Sequence, residues 1–330
     1  MRLRVIHETV YHYTPAVQNA QHMAHLRPRT GLVQRVLTHA LQVEPAPAQC
    51  ETTEDVFGNT RAFFSLPFTH ETLRVRAETL LETTPPPAAP PGEPWERVRE
   101  RLCYRRGLPY QPAAEFGFAS PYIPRHAEFV AYALESFTPD RPVLEAASDL
   151  MSRIHADFEY AAQATDAGTP ALESLRLRRG VCQDFAHVMI GCLRGMGLAA
   201  RYVSGYLLTE PPPGQPRLVG ADASHAWVSV WSPSAAQSNG EDGANTKSTE
   251  WFDLDPTNDR AAGEDYVTLA IGRDYSDVSP VRGVIHGGDH HVLQVAVTVE
   301  PAPTPVAERV VEAKTEAAPA TPSKAPESPG

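Results

Sequence analysis

Residues 179–208, RGVCQDFAHVMIGCLRGMGLAARYVSGYLL, predict a turn, a helix and a strand in succession. After Cys182, apolar residues recur at steps of three and four, which is typical of one buried face of an amphipathic helix. Gly180 precedes this helix and Gly197 ends it, while the β-branched and aromatic residues that follow Arg201 favour a strand. The pattern therefore places Cys182 at the N-terminus of a helix.

The position of Cys182 differs from that of an ordinary buried cysteine. Unpaired backbone N–H groups and the positive end of the helix dipole stabilise a thiolate there, and Arg178 and Arg179 add positive charge. Cys192, by contrast, lies on the apolar face of the helix, where a free cysteine acts as a small hydrophobic residue. Position alone leaves both roles open for Cys182, so a catalytic role depends on finding a base.

Composition limits the class of protein. The chain has 330 residues, of which 42% are hydrophobic and 21% charged, a balance typical of soluble globular proteins with room for two domains. A formal net charge of -11 without a basic cluster argues against nucleic acid and anionic membranes as partners. Residues 1–13 are charged and strand-like, unlike a signal peptide, and no apolar run approaches membrane-spanning length. We therefore expect a cytoplasmic protein.

No metal and no cofactor is expected. Four cysteines in so long a chain, with no CxxC pair, suit neither a disulfide scaffold nor a zinc site. The histidines of the first 84 residues are scattered without ligand spacing. His286, His290 and His291 lie closer together, but adjacent histidines on a strand face opposite ways.

The chain divides into four segments. Residues 1–84 alternate as strands, with a hairpin turn at 57–59, and are predicted to form a β-rich N-terminal domain. Residues 85–94 are too rich in proline for a helix or a central strand and are predicted to be a semi-rigid linker. Residues 95–299 form the second domain, and the polar, proline-rich residues 300–330 are predicted to be disordered.

A second helix and two further strands are predicted around this centre. The helix follows Pro142 and is expected to pack beside the first one. ASHAWVSVW (residues 223–231) alternates as a strand, with its aliphatic side toward the core and His225 pointing away from it. Residues 232–249 are predicted to be a mobile loop leading to the strand WFDLD, residues 251–255.

His225 and Asp255 can face the same end of the sheet if these two strands pair antiparallel across the loop. Taken singly, a strand histidine is more often structural, and an aspartate before proline is more often a turn former. With Cys182 they supply what thiol catalysis needs: a thiolate, a proton acceptor and a carboxylate that fixes the imidazole tautomer. Asp253 is the next candidate for the carboxylate.

Three segments closely resemble the core motifs of the transglutaminase-like superfamily: GVCQDFAHVMIGCLRGMGLAARYVSGYL (180–207), ASHAWVSVW (223–231) and WFDLDPTND (251–259). The resemblance implies a catalytic triad of Cys182, His225 and Asp255. It also implies an α+β, papain-like core, in which the cysteine helix packs on an antiparallel β-sheet, preceded by the β-rich N-terminal domain. Residues 267–288 resemble the C-terminal segment of bacterial members, so the resemblance covers nearly all of residues 1–300.

The resemblance implies a cysteine enzyme that acts on a peptide or protein substrate through a thioester acyl-enzyme. Hydrolysis of a peptide bond or of a glutamine amide is the leading hypothesis. A protein-glutamine acyltransferase and a non-catalytic binding module on the same fold are the alternatives. An amine acceptor would need apolar walls, to which Trp227 and Trp251 could contribute, but strand alternation favours core roles for both. The sequence leaves the oligomeric state open.

Four residues that precede or follow Cys182 in the sequence are given supporting roles. Gln183 and Asp184 match the family pattern and are interpreted as helix-start residues that stabilise the dipole end. The oxyanion hole is expected to use the backbone N–H of Cys182 and a second donor, for which Tyr160 and Gln163 are candidates.

Overall fold

The structure is a computed structural model that describes residues 1–89, 92–107, 110–209, 224–233 and 250–303. The predicted mobile loop lies outside the described residues at 234–249, and so does the predicted disordered tail from residue 304 onward. No helix in the described ranges has the length and apolarity to cross a bilayer. The cytoplasmic location stays a prediction.

An antiparallel sheet forms the N-terminal region, as predicted. Its strands follow the order β2-β5-β1-β4-β3. They are β1 (Arg2–Ala24), β2 (Gln34–Glu44), β3 (Gln49–Glu54), β4 (Thr60–Leu66) and β5 (His70–Thr83). The predicted turn at 57–59 joins β3 to β4, and Gly58 adopts a positive φ of 73° there, which favours glycine. Residues such as Leu3, Leu73 and Leu81 are fully buried, because alternate side chains of each strand face a core.

Two strands from the far end of the chain complete this sheet. β13 (Val281–Gly287) and β14 (His290–Pro301) both pair antiparallel with β1, on the edge that β4 and β5 leave free. The sequence had assigned residues 281–299 to the second domain, 95–299, and the pairing instead places them in the N-terminal sheet. The physical reason is that β1 is 23 residues long and needs a ladder partner on both edges.

Seven helical segments and a second sheet form the rest of the described chain. The helices are α1 (Trp95–Leu102), a 3-10 helix (Pro112–Gly117), α2 (Ala127–Ala133), α3 (Val143–Asp157), α4 (Ala171–Leu177), α5 (Cys182–Gly195) and α6 (Tyr275–Val278). The helix predicted after Pro142 is α3, and it contacts α5 as expected. The short strands β6 (Glu159–Tyr160) and β7 (Arg179–Gly180) pair in parallel next to α5.

The core sheet is antiparallel and has the strand order β11-β10-β9-β8-β12. Its strands are β8 (Ala200–Leu207), β9 (Ser224–Trp231), β10 (Trp251–Asp255), β11 (Arg260–Ala261) and β12 (Tyr266–Gly272). Helix α5 packs against β8 and β9, which confirms the predicted cysteine helix on an antiparallel sheet. Both faces of β9 are buried: the aliphatic face, which was predicted to be core, and the face that carries Trp227, for which a core role was favoured. Trp227, on the other face, is fully buried with Val203, Tyr266 and Ile271.

The N-terminal sheet covers that second face of the core sheet and is joined to it by hydrogen bonds. The Asn59 side chain donates to the Ile271 carbonyl at 2.7 Å and accepts from the Ile271 N–H at 2.9 Å. The imidazole Nδ1 of His7 lies 2.9 Å from the hydroxyl of Tyr206. These contacts fix β12 and β8 against the first region, so the N-terminal sheet helps to hold the strands that carry the candidate site.

Candidate active site

Cys182 is the first residue of α5, as the sequence predicts, and its side chain is partly exposed. Val181 is the N-cap in an extended conformation, so the first backbone N–H groups of the helix have no partner within the helix. These N–H groups lie at the end of the helix that carries the thiol, and they stabilise negative charge there. The other three cysteines lie elsewhere: Cys50 and Cys103 are exposed, and Cys192 is buried.

The carboxylate of Asp184 fixes the turn that delivers Cys182. It accepts hydrogen bonds from the Val181 N–H at 2.8 Å and from the hydroxyls of Thr165 and Ser174, both at 2.7 Å. Gly180 leaves room for this carboxylate, because a Cβ at position 180 would come within 2.6 Å of its Cγ. Asp184 is buried, and its contacts agree with the predicted helix-start role.

His225 and Asp255 lie together, as the predicted antiparallel pairing requires. β9 and β10 are antiparallel with Leu254 opposite Val228, which brings the start of one strand beside the end of the other. The Nε2 atom of His225 lies 2.6 Å from Oδ2 of Asp255. This contact leaves Nδ1 of the imidazole as the nitrogen available to a second partner.

Cys182 is a second neighbour of the imidazole, close enough to act on its pKa. Burial alone lowers the pKa of His225, but the hydrogen bonds to Asp255 and to Cys182, with the charges of both, raise it to about 9. The imidazole is therefore cationic at neutral pH in this arrangement. A cation beside the thiol favours a thiolate–imidazolium pair, which is the reactive form of a cysteine nucleophile.

Asp255 is fully buried and held by several donors. The Tyr266 hydroxyl donates to Oδ2 at 2.8 Å, the Asn258 amide donates to Oδ2 at 2.7 Å, and the Thr257 N–H donates to Oδ1 at 2.9 Å. Burial alone raises the pKa of Asp255, but the hydrogen bonds from His225, Asn258 and Tyr266 lower it below its usual value. The carboxylate is therefore ionised and rigidly oriented toward His225.

Asp253, the alternative carboxylate, has a different partner. Its Oδ2 atom accepts a hydrogen bond from the Trp227 indole at 3.1 Å. Trp227 is itself fully buried, and the guanidinium of Arg201 stacks on Trp251 at 4.1 Å from the ring centre. Both tryptophans have the structural contacts that strand alternation favours, so neither is placed as the wall of an amine site at Cys182.

Sequence reasoning missed Asn258 and Tyr266. Asn258 follows Asp255 by three residues, a spacing at which a side chain returns to the start of a turn, and this signal was available in the sequence. Tyr266 contacts Asp255 from β12, which lies at the opposite edge of the core sheet with β8 and β9 between it and β10. No local sequence pattern indicates that contact.

Of the two candidates for the second oxyanion donor, Tyr160 lies beside Cys182. It pairs with Gly180 across the β6–β7 ladder. Its pKa is raised by partial burial and by the charge of Cys182. Gln163 is exposed on the same connection.

His286, His290 and His291 lie on β13 and β14, and His291 packs beside the Tyr11 and Tyr13 rings.

Comparison with known proteins identifies the family. Residues 3–82 match the bacterial transglutaminase-like N-terminal region, and residues 131–256 match the transglutaminase-like superfamily. An uncharacterised protein of Mycobacterium tuberculosis is 42% identical over 308 residues, covering 91% of this chain and 93% of that protein. The chain belongs to the transglutaminase-like superfamily. A second relative, an uncharacterised protein of Mycobacterium leprae, is 30% identical over 302 residues, covering 90% of this chain and 98% of that protein.

Other similarities of this transglutaminase-like protein concern its fold and its core. The structure of a candidate cysteine protease from Cytophaga hutchinsonii matches with a TM-score of 0.66 at 18% identity, covering 92% of this chain and 91% of that one. This match confirms the predicted papain-like fold with its N-terminal β region. A protein-glutamine gamma-glutamyltransferase of Pseudomonas aeruginosa is 32% identical over 106 residues, 31% of this chain and 14% of that protein.

The raised pKa of His225 predicts a pH dependence of stability for this transglutaminase-like protein. A histidine with a folded pKa of about 9 against 6.5 unfolded stabilises the fold fully below pH 6.5, and this contribution is lost as pH rises through 9. The free energy of unfolding, measured by urea denaturation at several pH values, should therefore fall across that window. In His225→Gln the fall should be shallower. Parallel curves for the two proteins would show that the pair does not carry the charge inferred here.

Proposed function

We propose that this protein is a cysteine-dependent amide hydrolase with Cys182 as nucleophile, His225 as general acid and base, and Asp255 as the residue that orients His225. The arrangement that supports this most strongly is that of His225 with its two neighbours: Nε2 lies 2.6 Å from Oδ2 of Asp255, and Cys182 is close enough to the ring to raise the pKa of the imidazole. A buried carboxylate, an imidazole and a partly exposed thiol in this order are what thiol catalysis requires.

The proposed reaction has two steps. The Cys182 thiolate attacks the amide carbonyl carbon, the C–N bond breaks, and the His225 imidazolium gives its proton to the departing amine. The thioester that remains is attacked by water, whose proton passes to His225, and the C–S bond breaks to release the acid. The backbone N–H of Cys182 is the proposed first donor to the oxyanion, and Tyr160 the proposed second.

Hydrolysis is favoured over amine transfer because water needs no binding site, whereas an amine needs one that also excludes water. Trp227 is buried and its indole donates to Asp253, and Trp251 lies under Arg201, so both rings have structural contacts of their own and are not proposed as acceptor walls. The partial similarity to a protein-glutamine gamma-glutamyltransferase supports the acyltransferase as the second candidate.

Product analysis separates these two functions. Short peptides with and without glutamine would be incubated with the full chain and a millimolar primary amine, and the products identified by mass spectrometry. We expect mainly the acid product, from a peptide bond or a glutamine side chain, and none with Cys182→Ala. An amide adduct that dominates and saturates with amine concentration would favour the transferase.

Thiol reactivity separates both enzymes from a binding module. We expect iodoacetamide at neutral pH to alkylate Cys182 faster than exposed Cys50 and Cys103, because the helix end and the His225 imidazolium stabilise its thiolate. Cys192 should react slowest, since burial raises the pKa of its thiol. Peptide mass spectrometry over a time course gives the four rates, and a Cys182 rate no higher than those of Cys50 and Cys103 would argue for the binding module.

A further inference from the structure

A cavity of about 460 Å³ lies on the face of the core sheet that the N-terminal region covers. Its walls come from the loop at 29–34, the proline-rich segment at 86–89, helix α3 and strands β8, β10 and β12. Neither Cys182 nor His225 lines it, so it is separate from the candidate active site. Its volume is in the range of cavities that bind small organic molecules.

Most of the cavity wall is apolar. The apolar lining residues are contributed by several separate parts of the chain and include Leu32, Val33, Pro86, Pro87, Leu144 and Leu254. Such walls bind the hydrocarbon part of a ligand by removing it from water. The ligand is therefore expected to have an apolar body.

One polar row crosses the wall that the core sheet provides. Ser229 on β9 is the register partner of Arg201 on β8 and also of Asp253 on β10. Residues paired directly across antiparallel strands present their side chains on the same face, so these three side chains share the face on which the cavity lies. Arg201 and Asp253 both line the cavity.

Two buried atoms of this row have no hydrogen-bond partner among the described residues. They are Nε of Arg201 and Oγ of Ser229. The Cζ atom of the Arg201 guanidinium lies 4.1 Å from the centre of the Trp251 ring, and this cation–π contact holds the side chain at the cavity wall, which both residues line. Burial lowers the pKa of Arg201 to about 10, and Asp253 partly offsets that effect, so the side chain stays cationic at neutral pH. A guanidinium that lines a cavity and has an N–H group without a described acceptor is one that an anionic group in the cavity would complete.

Asp253 limits the charge of that anion. Only its Oδ2 is engaged by a described donor, the Trp227 indole, and its negative charge lies near Arg201. A dianion such as phosphate would be repelled by this carboxylate more strongly than a single carboxylate would be. A planar carboxylate also matches the forked N–H edge of a guanidinium.

We propose that this cavity binds a small monocarboxylate with an apolar body, whose carboxylate group pairs with Arg201 while its apolar part lies between Leu32, Pro86 and Leu144. Tyr266 lines the cavity and also donates its hydroxyl hydrogen bond to Asp255. The ligand therefore binds against a residue that positions the triad, although it does not reach Cys182.

Calorimetry with two matched probes tests the charge requirement. The probes are N-acetylphenylalanine and its uncharged analogue N-acetylphenylalaninamide, titrated into the full chain carrying Cys182→Ala so that nothing is turned over. We expect one saturable site for the acid. The amide should bind at least about tenfold more weakly than the acid, because only the acid supplies a charged acceptor for Arg201. Equal affinities for acid and amide, or no saturation by about 10 mM acid, would overturn the proposal.

Variants on opposite walls locate the site. Arg201→Gln should weaken binding of the acid about tenfold or more, and Leu144→Trp should block it by filling the cavity from the other side while Arg201 stays intact. Arg35→Gln is the matched control, because Arg35 is an exposed cation paired with Glu82 and does not line the cavity. If Arg201→Gln does not fold, Leu144→Trp and the acid–amide comparison still decide. Acid binding that survives Leu144→Trp would place the ligand elsewhere and refute the assignment.

Discussion

Replacement of Cys182 by alanine is expected to abolish amide turnover, with a loss of at least about 10⁴-fold in kcat. The proposed acyl-enzyme forms on the Cys182 sulfur, and without it the imidazole of His225 has no nucleophile to activate. The fold should be retained, because Cys182 is partly exposed at the helix start and the turn is held by Asp184 rather than by the thiol. Steady-state kinetics on the peptide identified by product analysis gives the size of the loss.

Cys103→Ala is the control for this first prediction. Cys103 is exposed just after α1, outside the site, so its replacement should leave kcat unchanged. If Cys182→Ala retained activity within a few-fold of the parent, the reaction would not pass through this thiol. The proposed function would then fail, whereas the fold would be unaffected.

Asp255→Asn should preserve the fold and lower kcat by roughly 10³–10⁴-fold. An amide at position 255 can still accept from the Thr257 N–H with its one oxygen, while its NH2 group takes the place of the Oδ2 that accepts from Tyr266, and it carries no charge to stabilise the imidazolium. It can also donate to Nε2 of His225 and so select the wrong tautomer. The pKa of His225 should therefore fall from its raised value, which histidine NMR titration measures independently of any substrate.

The matched control is Asp253→Asn, two residues earlier on the same strand. Asp253 contacts the Trp227 indole rather than His225, so its replacement should leave both kcat and the His225 titration close to those of the parent. The opposite pattern, with Asp253→Asn inactive and Asp255→Asn active, would reassign the carboxylate. Equally large losses of kcat in both variants would mean that the activity depends on the structure of this end of the sheet and not on the charge of Asp255 alone.

Local periodicity predicted the central elements well. The three- and four-residue spacing after Cys182 gave α5, and the alternation around His225 gave β9, because both elements bury a face within their own sequence. The contact between His225 and Asp255 was also predictable, since two strands of known direction bring their adjoining ends together. Tyr266 was not predictable, because it contacts Asp255 through the order of strands in the sheet rather than through spacing along the chain.

Contacts between distant parts of the chain explain the remaining differences. The sequences of β13 and β14 do not identify β1 as the strand with which both of them pair. Likewise, strand alternation favours a core role for Trp227 but does not identify the N-terminal sheet as the layer that covers it. In both places the pairing of distant segments decides the structure, and the periodicity of one segment carries no information about that pairing.

The two strands that complete the first sheet also set an order for events during synthesis. Leu3 pairs with Pro301 and Thr14 with His290, so one edge of β1 has no partner until the ribosome has made almost the whole described chain. An unpaired edge on a long strand invites pairing with other chains. The nascent N-terminal region therefore keeps one edge of its longest strand open for most of translation, and the sheet is completed only when the last strands emerge.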